Sequence, residues 1–586
     1  MILERINGPQ DIKKLTRQEL PVLAGEVRRH LIKKVSEHGG HVGPNLGIVE
    51  ATVALHYVFN SPDDKIVFDV SHQSYPHKIL TGRKEAFMDP ARYDEVSGYS
   101  EPSESEHDHF IIGHTSTSIS IACGLVKGRN LLHGTERIIA VIGDGSLSGG
   151  EALEGLNVAG SELQGNFIIV VNDNQMSIAE NHGGLYKNLQ LLRQTKGQAE
   201  CNLFRAMGLD YLYVDDGNNI GALIAAFDQV KDCDHPVVVH INTLKGKGLP
   251  FAEQEKERWH WSVPFDLTTG KPKASDGGES YESLTAEHLL ELMPTHPGLF
   301  AVTSGTPAVF GFNKSRRQRA GDRFIDVGIA EETAVALASG AAKRGAKPVW
   351  GVYSTFVQRT YDQLQQDLCI NNNPALILVF WGGIESMNDV THTCLYDIPL
   401  LMNIPNLLYL APTCREEYFA MMDWAIAYRE RPVAIRVPVN GVIARNLQLA
   451  ADIDWSLPAY ETAHSGSRVA ILGLGAYFQL GDNLRCALAE QGIDATLVNP
   501  RIITALDTKT LDALKQCHTL VITLEDGQAD GGWGEKIARH YGNSSMRVLV
   551  RGERKQFEDR YDVPELLAAN RLTVPQMVED ILAALP

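Results

Sequence analysis

The sequence predicts an α/β protein made of three modules, each with its own largely parallel sheet. Short apolar segments of strand length alternate with amphipathic segments of helix length, a pattern typical of parallel sheets covered by helices. The alternation starts anew twice, and 586 residues suffice for four average domains of about 150 residues or for three large ones.

The first module is predicted over residues 1–270. Its strand-length apolar segments are 65–70, 137–142, 166–171 and 236–241. After Lys247 and Gly248 the sequence becomes irregular and polar, with Gly, Ser, Lys and Pro concentrated towards its end. We therefore expect a long linker over 251–280.

The second and third modules are predicted over residues 271–448 and 455–586. The strand-length segments of the second are 324–328, 348–353, 375–380, 407–410 and 433–437. Those of the third are 468–472, 495–498, 519–524 and 547–550. Each series is sufficient for one sheet with covering helices.

Composition and charge exclude several classes of protein. Apolar residues make up 44 % and charged residues 22 %, as in ordinary globular proteins. With 54 Lys plus Arg against 72 Asp plus Glu, the net charge is −18, which disfavours binding to nucleic acid. The N-terminal residues lack the pattern of a signal peptide and no apolar run is long enough for a membrane helix, so we expect a cytoplasmic protein. The eight cysteines are dispersed without a CxxC pair, which indicates neither a disulfide framework nor a structural zinc site.

The first candidate site comprises Asp144, within Gly143-Asp144-Gly145-Ser146, and Asn174, which follows the next predicted strand. Because parallel strands end at the same edge of a sheet, these side chains are expected to lie close together. Carboxylate, amide and carbonyl oxygens suit Mg²⁺ that also contacts phosphate oxygens. The alternative is an ordinary strand-to-helix turn, since Asp and Gly are common there, but the partner at Asn174 favours a diphosphate site.

The second candidate is Glu331, where the predicted strand at 324–328 gives way to a helix. A carboxylate at this position is favoured by the helix dipole. Taken alone, Glu331 and Glu332 would be interpreted as first-turn acids without further function. The surrounding sequence points to a more specific interpretation.

Long motifs resemble one family along nearly the whole chain. Besides the two candidates, they are His41–Gly47, Asp69–Lys78, Gly113–Ser118 and Tyr353–Arg359. The sequence resembles the 1-deoxy-D-xylulose-5-phosphate synthase family, within the transketolase group of thiamine diphosphate enzymes. The resemblance implies a transketolase-like arrangement of two thiamine-diphosphate-binding domains and a C-terminal transketolase-type domain, and a homodimer.

The resemblance also assigns roles to individual residues. The metal ligands for Mg²⁺ would be Asp144, Asn174 and the carbonyl of Met176. The cofactor contacts would be His72, Gly113, His114, Thr115, Gly145, Ser146, Leu249, Glu331 and Phe356, with Glu331 on the aminopyrimidine ring and Phe356 stacked against that ring. The catalytic residues would be Glu331, through the aminopyrimidine ring, the donor-side residues His41, His260, Tyr353 and Arg359, and the acceptor-side His392.

The sequence departs from the family mainly at the expected acceptor side. Pro102, Trp381 and Val439 stand where the family pattern has arginines. Arginine forks are the natural binders of a phosphate dianion, so their joint absence should greatly weaken a phosphorylated acceptor. Leu249 replaces a cofactor-side tyrosine. The segment from Ala179 to about Gly208 is shorter than expected, which removes part of the usual shield of the site and predicts a more mobile loop.

We therefore expect a thiamine diphosphate- and Mg²⁺-dependent transferase that decarboxylates a 2-oxo acid, pyruvate above all, and joins the two-carbon unit to an aldehyde. Glyceraldehyde 3-phosphate is not the expected acceptor. Two alternatives remain open at this point: transfer of a ketol unit without decarboxylation, and a pseudoenzyme that binds the cofactor only. The expected partners are small molecules and a second copy of the chain.

Overall fold

The structure, a computed structural model, describes residues 1–274 and 278–585. Two compact units are formed by the described residues. The first contains those of Met1–Gly277 and Gly328–Ala330, and the second contains those of Gly278–Val327 and Glu331–Pro586.

The first unit is built on a parallel sheet of five strands within its described residues. In spatial order they are Lys65–Phe68, Ile138–Gly143, Phe167–Asp173, Pro236–Asn242 and Asp210–Val214. The central strands are continuous apolar runs buried on both faces, as expected where helices cover both sides of a parallel sheet. This confirms the four predicted strands and adds Asp210–Val214, whose alternating Tyr and Leu residues were missed.

Helices cover both faces of this sheet. The α-helices are Pro9–Ile12, Leu20–His38, Gly43–Gly47, Val49–Val58, Tyr75–Lys78, Glu85–Met88, Ser118–Leu131, Gly150–Ser161, Gly184–Gln194, Leu203–Ala206, Ile220–Val230 and Pro250–Gln254. Shorter helical turns are Leu3–Arg5, Ile79–Arg83, Pro90–Glu95 and Gly145–Ser148. The start of the helix Ile220–Val230 is set by a capping residue. The Asn219 side chain accepts from the Ala222 amide and so caps the first turn of the helix.

The predicted linker over 251–280 is wrong for the residues that the structure describes up to 274. Trp259 is 2 % exposed and Phe265 is fully buried, and their rings lie 4.6 Å apart in the core of the first unit. The strand Trp261–Ser262 pairs antiparallel with Gly40–His41. The composition of this segment is that of a loop, but its spaced aromatic residues anchor it. Residues 275–277 of the predicted linker lie outside the described residues.

The second unit contains two sheets among its described residues. The larger is parallel, with the spatial order Leu408–Leu410, Val433–Arg436, Leu376–Phe380, Lys347–Tyr353, Leu299–Thr303 and Phe324–Asp326. The smaller has the order Glu461–His464, Thr496–Asn499, Arg468–Gly473, His518–Gln528 and Arg547–Glu553, with only its first strand antiparallel. All nine predicted strands are confirmed here, whereas Leu299–Thr303 and Glu461–His464 were missed.

The α-helices of the second unit are Tyr281–Leu292, Lys314–Ala320, Glu331–Lys343, Ser354–Val357, Tyr361–Gln363, Asp397–Leu401, Arg415–Ala427, Phe478–Glu490, Thr508–Leu514, Trp533–Tyr541, Val563–Ala569 and Val574–Ala584. Shorter helical turns are Pro307–Phe310, Gly321–Arg323, Gln358–Thr360, Leu364–Cys369 and Gly475–Tyr477.

A buried ion-pair network joins the two sheets of the second unit. Arg436, at the end of a strand of the larger sheet, pairs with Asp397 at 2.7 Å and with Asp526 of the smaller sheet. These three side chains are almost fully buried. A buried guanidinium needs such partners, so the network fixes how the two sheets pack.

None of the described helices is long and apolar enough to cross a membrane.

Candidate active site

The two turns at Asp144 and Asn174 lie at one edge of the first unit's sheet. Their strands, Ile138–Gly143 and Phe167–Asp173, pair in parallel. Both side chains are buried, and Asp144 Oδ1 and Asn174 Oδ1 lack a hydrogen-bond partner among the described residues. Two unpartnered oxygens of these types fit a hard cation such as Mg²⁺.

The adjacent acids Asp144 and Asp173 have opposite surroundings. Burial, together with the nearby charge of Asp173, raises the pKa of Asp144. Burial would also raise the pKa of Asp173, but His240, at 2.9 Å, and Arg193 outweigh it and lower that pKa. Asp173 is therefore held in a structural network, whereas the charge of Asp144 is poorly compensated within the protein.

Met176, whose carbonyl is the third expected metal ligand, lies in the same turn as Asn174. It follows Gln175, which has a φ of +67°, and forms an isolated antiparallel bridge with Glu180. The turn thus folds back on itself directly after the strand. Within the described chain, no cluster of three His, Cys, Asp or Glu side chains is arranged to hold a metal. A metal at this site would be held by one carboxylate, one amide and a main-chain carbonyl.

The shortened segment at 179–208 packs over these strand ends. Asn181 donates to Asp144 Oδ2 at 2.6 Å, and the Tyr186 hydroxyl donates to the Gly145 carbonyl at 3.1 Å. The helix Gly184–Gln194 carries Tyr186 and Arg193, the partner of Asp173. The shorter segment therefore forms a helix that contacts both turns, and the reduced shielding and greater mobility of this loop stay a prediction.

The loop Gly113–Ser118 is anchored by the buried carboxylate of Asp69. Asp69 accepts from the amides of Ser116 at 2.8 Å and Ser118 at 2.9 Å, and the Ser116 hydroxyl donates to the Ser146 carbonyl at 2.8 Å. These bonds fix the loop beside the turn that follows Asp144. The expected cofactor contacts in this loop are Gly113, His114 and Thr115.

Gly145 and Ser146 open the short helical turn Gly145–Ser148. A Cβ atom at Gly145 would lie 2.9 Å from the Ser177 Cα atom, which is too close for any side chain. The turn therefore requires glycine because another backbone segment passes next to it.

Three of the predicted histidines form one cluster in the first unit. The ring centroids of His41 and His72 are 5.0 Å apart, those of His72 and His260 are 5.3 Å apart, and those of His41 and His260 are 5.7 Å apart. Asn45 donates to the carbonyls of His41 at 2.9 Å and His72 at 2.8 Å. The antiparallel pairing of Trp261–Ser262 with Gly40–His41 sets the position of His260.

Lys245 lies in this cluster and was not predicted. Its ammonium donates to the Ser177 carbonyl at 2.6 Å and lies 3.2 Å from His260 Nδ1. Burial lowers the pKa of Lys245 to about 7, against the opposing attraction of Asp144. Burial, with the charge of Lys245 added, lowers the pKa of His72 to about 3 and that of His260 well below its usual range. His72 and His260 are therefore neutral imidazoles, each with one donor and one acceptor nitrogen.

Leu249 and Pro102, two positions at which the sequence departs from the family pattern, differ in burial. Leu249 is 5 % exposed and belongs to the hydrophobic core of the first unit. Pro102 is exposed, and nearby Glu104 is held by Lys78 and by Arg83, the latter at 3.1 Å. The Glu104 carboxylate, two residues after Pro102, is thus part of a structural ion-pair network.

Glu331 begins the helix Glu331–Lys343 in the second unit, as predicted. It is 3 % exposed, and its Oε2 atom has no hydrogen-bond partner in the described chain. Arg359 lies 3.8 Å from that oxygen, but burial outweighs this attraction and raises the pKa of Glu331 to about 7. A buried carboxyl that titrates near neutrality can hold or release a proton at physiological pH.

A chain of aromatic contacts links the other predicted residues of the second unit. Phe356 lies 5.5 Å from Tyr353 and 5.8 Å from His392, measured between ring centroids. Tyr353 in turn lies 5.7 Å from Trp381. The structure therefore brings the expected stacking, substrate and acceptor-side residues together.

Trp381 and Val439 line one pocket of about 190 Å³ in the second unit. Trp381 follows the strand Leu376–Phe380 with a φ of +62°, a backbone conformation that is unusual for a bulky residue. Its indole donates to the Glu282 carboxylate at 2.7 Å. Two of the three positions where the family pattern has arginines thus share a pocket that also contains an acid.

Family comparisons cover most of the chain. Residues 3–202 and 193–243 match the family described as 1-deoxy-D-xylulose-5-phosphate synthase. Residues 280–442 match the transketolase pyrimidine-binding domain, and residues 459–552 match the transketolase C-terminal domain. These matches show a transketolase-like fold of three α/β domains.

Similar curated proteins are named 1-deoxy-D-xylulose-5-phosphate synthase. The chain is 37 % identical over 585 residues to the protein of Clostridium beijerinckii, covering 94 % of each chain. It is 38 % identical over 577 residues to that of Lachnoclostridium phytofermentans, covering 92 % of this chain and 91 % of the relative. Among solved structures, a transketolase from Campylobacter jejuni aligns with a TM-score of 0.45 and 16 % identity, covering 97 % of this chain and 100 % of that one.

Proposed function

We propose that this chain, which belongs to the 1-deoxy-D-xylulose-5-phosphate synthase family of thiamine diphosphate-dependent transketolase-type transferases, decarboxylates pyruvate or a similar 2-oxo acid and transfers the remaining two-carbon unit to an aldehyde. One 2-oxo carboxylate, one aldehyde and one proton would give one CO₂ and one α-hydroxy ketone. The observation that carries the proposal is the buried Glu331 carboxyl, whose pKa is raised to about 7 and whose Oε2 atom has no hydrogen-bond partner among the described residues, which suits proton exchange with a bound cofactor.

Bound thiamine diphosphate would supply the nucleophile and the electron sink that decarboxylation of a 2-oxo acid requires. Glu331 would hydrogen-bond the aminopyrimidine ring and hold a proton there. Phe356 would stack against that ring, and Gly113, His114, Thr115, Gly145 and Ser146 are proposed as further cofactor contacts.

Mg²⁺ would be held by Asp144, Asn174 and the Met176 carbonyl. The unpartnered oxygens of Asp144 and Asn174 support this assignment, because a buried polar oxygen without a partner is costly unless a ligand satisfies it. A cation bound beside Asp144 would favour its charged form and so lower the raised pKa of this carboxyl.

His41 and His260 would bind the donor and its product oxygens, and His72 would contact the cofactor. Since burial keeps the rings of His72 and His260 neutral, each can donate one hydrogen bond and accept another without adding charge. Tyr353, Arg359 and His392 are proposed to contact the reacting substrates.

The proposed acceptor is not glyceraldehyde 3-phosphate. Trp381 and Val439 replace two of the arginines expected from the family pattern, and Glu282 contributes a carboxylate next to Trp381. A desolvated phosphate dianion without paired cations is heavily penalised.

We also propose a homodimer, for which light scattering should give twice the mass of one chain.

The decisive experiment measures CO₂ release from pyruvate with thiamine diphosphate and Mg²⁺, with and without aldehydes. We expect CO₂ release and an α-hydroxy ketone with unphosphorylated aldehydes, and poor kcat/KM with glyceraldehyde 3-phosphate. No CO₂ from any 2-oxo acid, but transfer from a ketose, would favour ketol transfer instead.

Glu331→Gln provides the residue-level test of this function. We expect proton exchange at the reactive carbon of bound thiamine diphosphate, followed by NMR, to slow by about 10²- to 10⁴-fold while cofactor affinity is largely retained. Unchanged exchange in the variant would contradict the role of Glu331. Glu291→Gln, at an exposed acid of the same unit, is the matched control.

A further inference from the structure

The pocket that contains Trp381 and Val439 is acidic. Its carboxylates are Glu279, Glu282 and Glu385. None of the described residues lining it is Lys or Arg, and the rest of its wall is apolar or uncharged. The pocket therefore favours a positively charged group over an anion.

The pocket lies next to the predicted catalytic residues of the second unit. Trp381 contacts Tyr353, and Tyr353 contacts Phe356, through ring contacts of 5.7 Å and 5.5 Å. Phe356 and Arg359 occupy consecutive helical turns, and Arg359 lies 3.8 Å from Glu331. A substrate held near Glu331 could therefore extend its far end towards Trp381.

Nearby cations and the neighbouring helix do not cancel this negative character. Arg415 pairs with Glu279 at 2.9 Å on the exposed side, so one of the three carboxylates is partly neutralised. Arg436 is engaged by Asp397 and Asp526 in the buried network. The N-terminus of the helix Tyr281–Leu292 is already capped by Ser280, and Glu282 lies in its first turn.

Two groups in the pocket are suited to a cation. The Trp381 side chain is 38 % exposed, and an indole face attracts cations through its quadrupole. The hydrogen bond that the Trp381 indole N–H donates occupies one of the two carboxylate oxygens of Glu282. In addition, Tyr281 lines the pocket at 4 % exposure, and its hydroxyl lacks a hydrogen-bond partner in the described part of the chain.

We infer that this pocket binds the distal end of the aldehyde acceptor and selects a cationic amine there, with Glu282 and Trp381 as the specificity-determining residues. This inference rests on the proposed function and names its acceptor class. An ammonium group would pair with the Glu282 carboxylate and pack against the Trp381 indole.

The test compares two aldehydes of equal shape, 3-(trimethylammonio)propanal and its neutral isostere 4,4-dimethylpentanal, with pyruvate as donor. We expect kcat/KM to be about tenfold higher for the cationic aldehyde. Equal values, or a preference for the neutral isostere, would overturn the inference while leaving the proposed carboligation intact.

Variants identify the residues responsible. Glu282→Gln and Trp381→Phe should each reduce the ratio of the two kcat/KM values by several-fold, whereas Glu291→Gln, on the same helix as Glu282, should preserve it. Thermal unfolding would establish that each variant is folded. A ratio unchanged in both pocket variants would refute the assignment to this pocket.

A binding measurement without turnover separates the two proposals. Ligand-observed NMR should detect tetramethylammonium bound to the wild-type protein, with a weaker signal for Glu282→Gln and none for propyl phosphate. If no 2-oxo acid is decarboxylated, the proposed function fails, but this experiment still tests the pocket. Equal signals from tetramethylammonium and propyl phosphate would contradict a cation-selective pocket.

Discussion

Asp144 and Asp173 are neighbouring acids whose surroundings differ. Those of Asp173 indicate a structural role, and those of Asp144 indicate ligand binding. Asp173 is compensated by Arg193 and His240, whereas Asp144 accepts from Asn181 at Oδ2 and its Oδ1 atom has no hydrogen-bond partner among the described residues. Removing the charge of one partner in a buried pair costs about 3–5 kcal/mol. The two acids should therefore respond differently to the same substitution.

We predict that Asp173→Asn destabilises the fold by about 3–5 kcal/mol, while Asp144→Asn leaves the cofactor-free protein at least as stable as wild type. Asp144→Asn should instead weaken Mg²⁺-dependent binding of thiamine diphosphate by about tenfold or more, because a charge-assisted ligand is lost. Urea unfolding and calorimetry measure the two effects. Loss of stability in Asp144→Asn with unchanged cofactor binding would make it a structural residue.

Glu331 predicts a pH dependence of stability. The folded protein holds the Glu331 proton up to a pKa of about 7, whereas the unfolded chain releases it near 4.5. Between these values the folded state binds more protons, so this group makes the protein less stable as pH rises. The penalty is fully present above pH 7 and disappears below about 4.5.

Glu331→Gln should therefore stabilise the cofactor-free protein at pH 8, by on the order of 3 kcal/mol, and by much less at pH 5. Urea unfolding at the two pH values, without thiamine diphosphate, measures the difference. Glu291→Gln should give no such pH-dependent gain. Equal effects of Glu331→Gln at both pH values would show that its carboxyl titrates normally in the folded state.

At residue level the sequence predicted those positions that lie in long motifs or at strand ends, such as Asp144, Asn174 and Glu331. It missed Lys245 and Asn181, because their importance comes from contacts with distant residues. Lys245 lies between Ser177 and His260 only once three loops have folded together. No local pattern contains that information.

The segment at 251–274 is a structural element whose position likewise depends on contacts with distant residues. Its Gly and Pro content predicts a loop, yet it carries His260 into the histidine cluster. The Gly43 amide donates to the Trp259 carbonyl at 2.7 Å, and the Val42 amide donates to the His260 carbonyl at 3.1 Å. Strand alternation is a strong local signal, whereas this pairing is set by residues more than 200 positions apart in sequence.

Two tryptophans of this segment provide a matched pair of variants. Trp259→Ala should lower the free energy of unfolding by about 3–5 kcal/mol, because the ring is buried between Phe251 and Phe265. Trp261→Ala should cost about 0.5 kcal/mol or less, since Trp261 is 53 % exposed. Equal losses in urea unfolding would mean that burial of Trp259 does not anchor the segment.

On the scale of the whole molecule, the parallel sheets were predictable because apolar strands recur with helix-length spacing in all three series. The strand order and the packing of the two sheets in the second unit were not predictable. They depend on long-range pairings and on the buried network of Arg436 with Asp397 and Asp526. Three charges that are far apart in sequence give no local signal.

Asp144 in the first unit and Glu331 in the second are buried acids with raised pKa values, and each has an oxygen without a hydrogen-bond partner among the described residues. Ligands that bind only the folded state stabilise it, by about 2.7 kcal/mol at a concentration 100 times Kd. We therefore predict that thiamine diphosphate and Mg²⁺ together raise the melting temperature by several degrees, and that thiamine diphosphate with a chelator does not. Asp144→Asn should lose most of this increase, whereas Glu291→Gln should keep it. Differential scanning calorimetry measures the shifts, and an equal increase with thiamine diphosphate in the presence of chelator would rule out the metal site at Asp144, because stabilisation would then not require the cation.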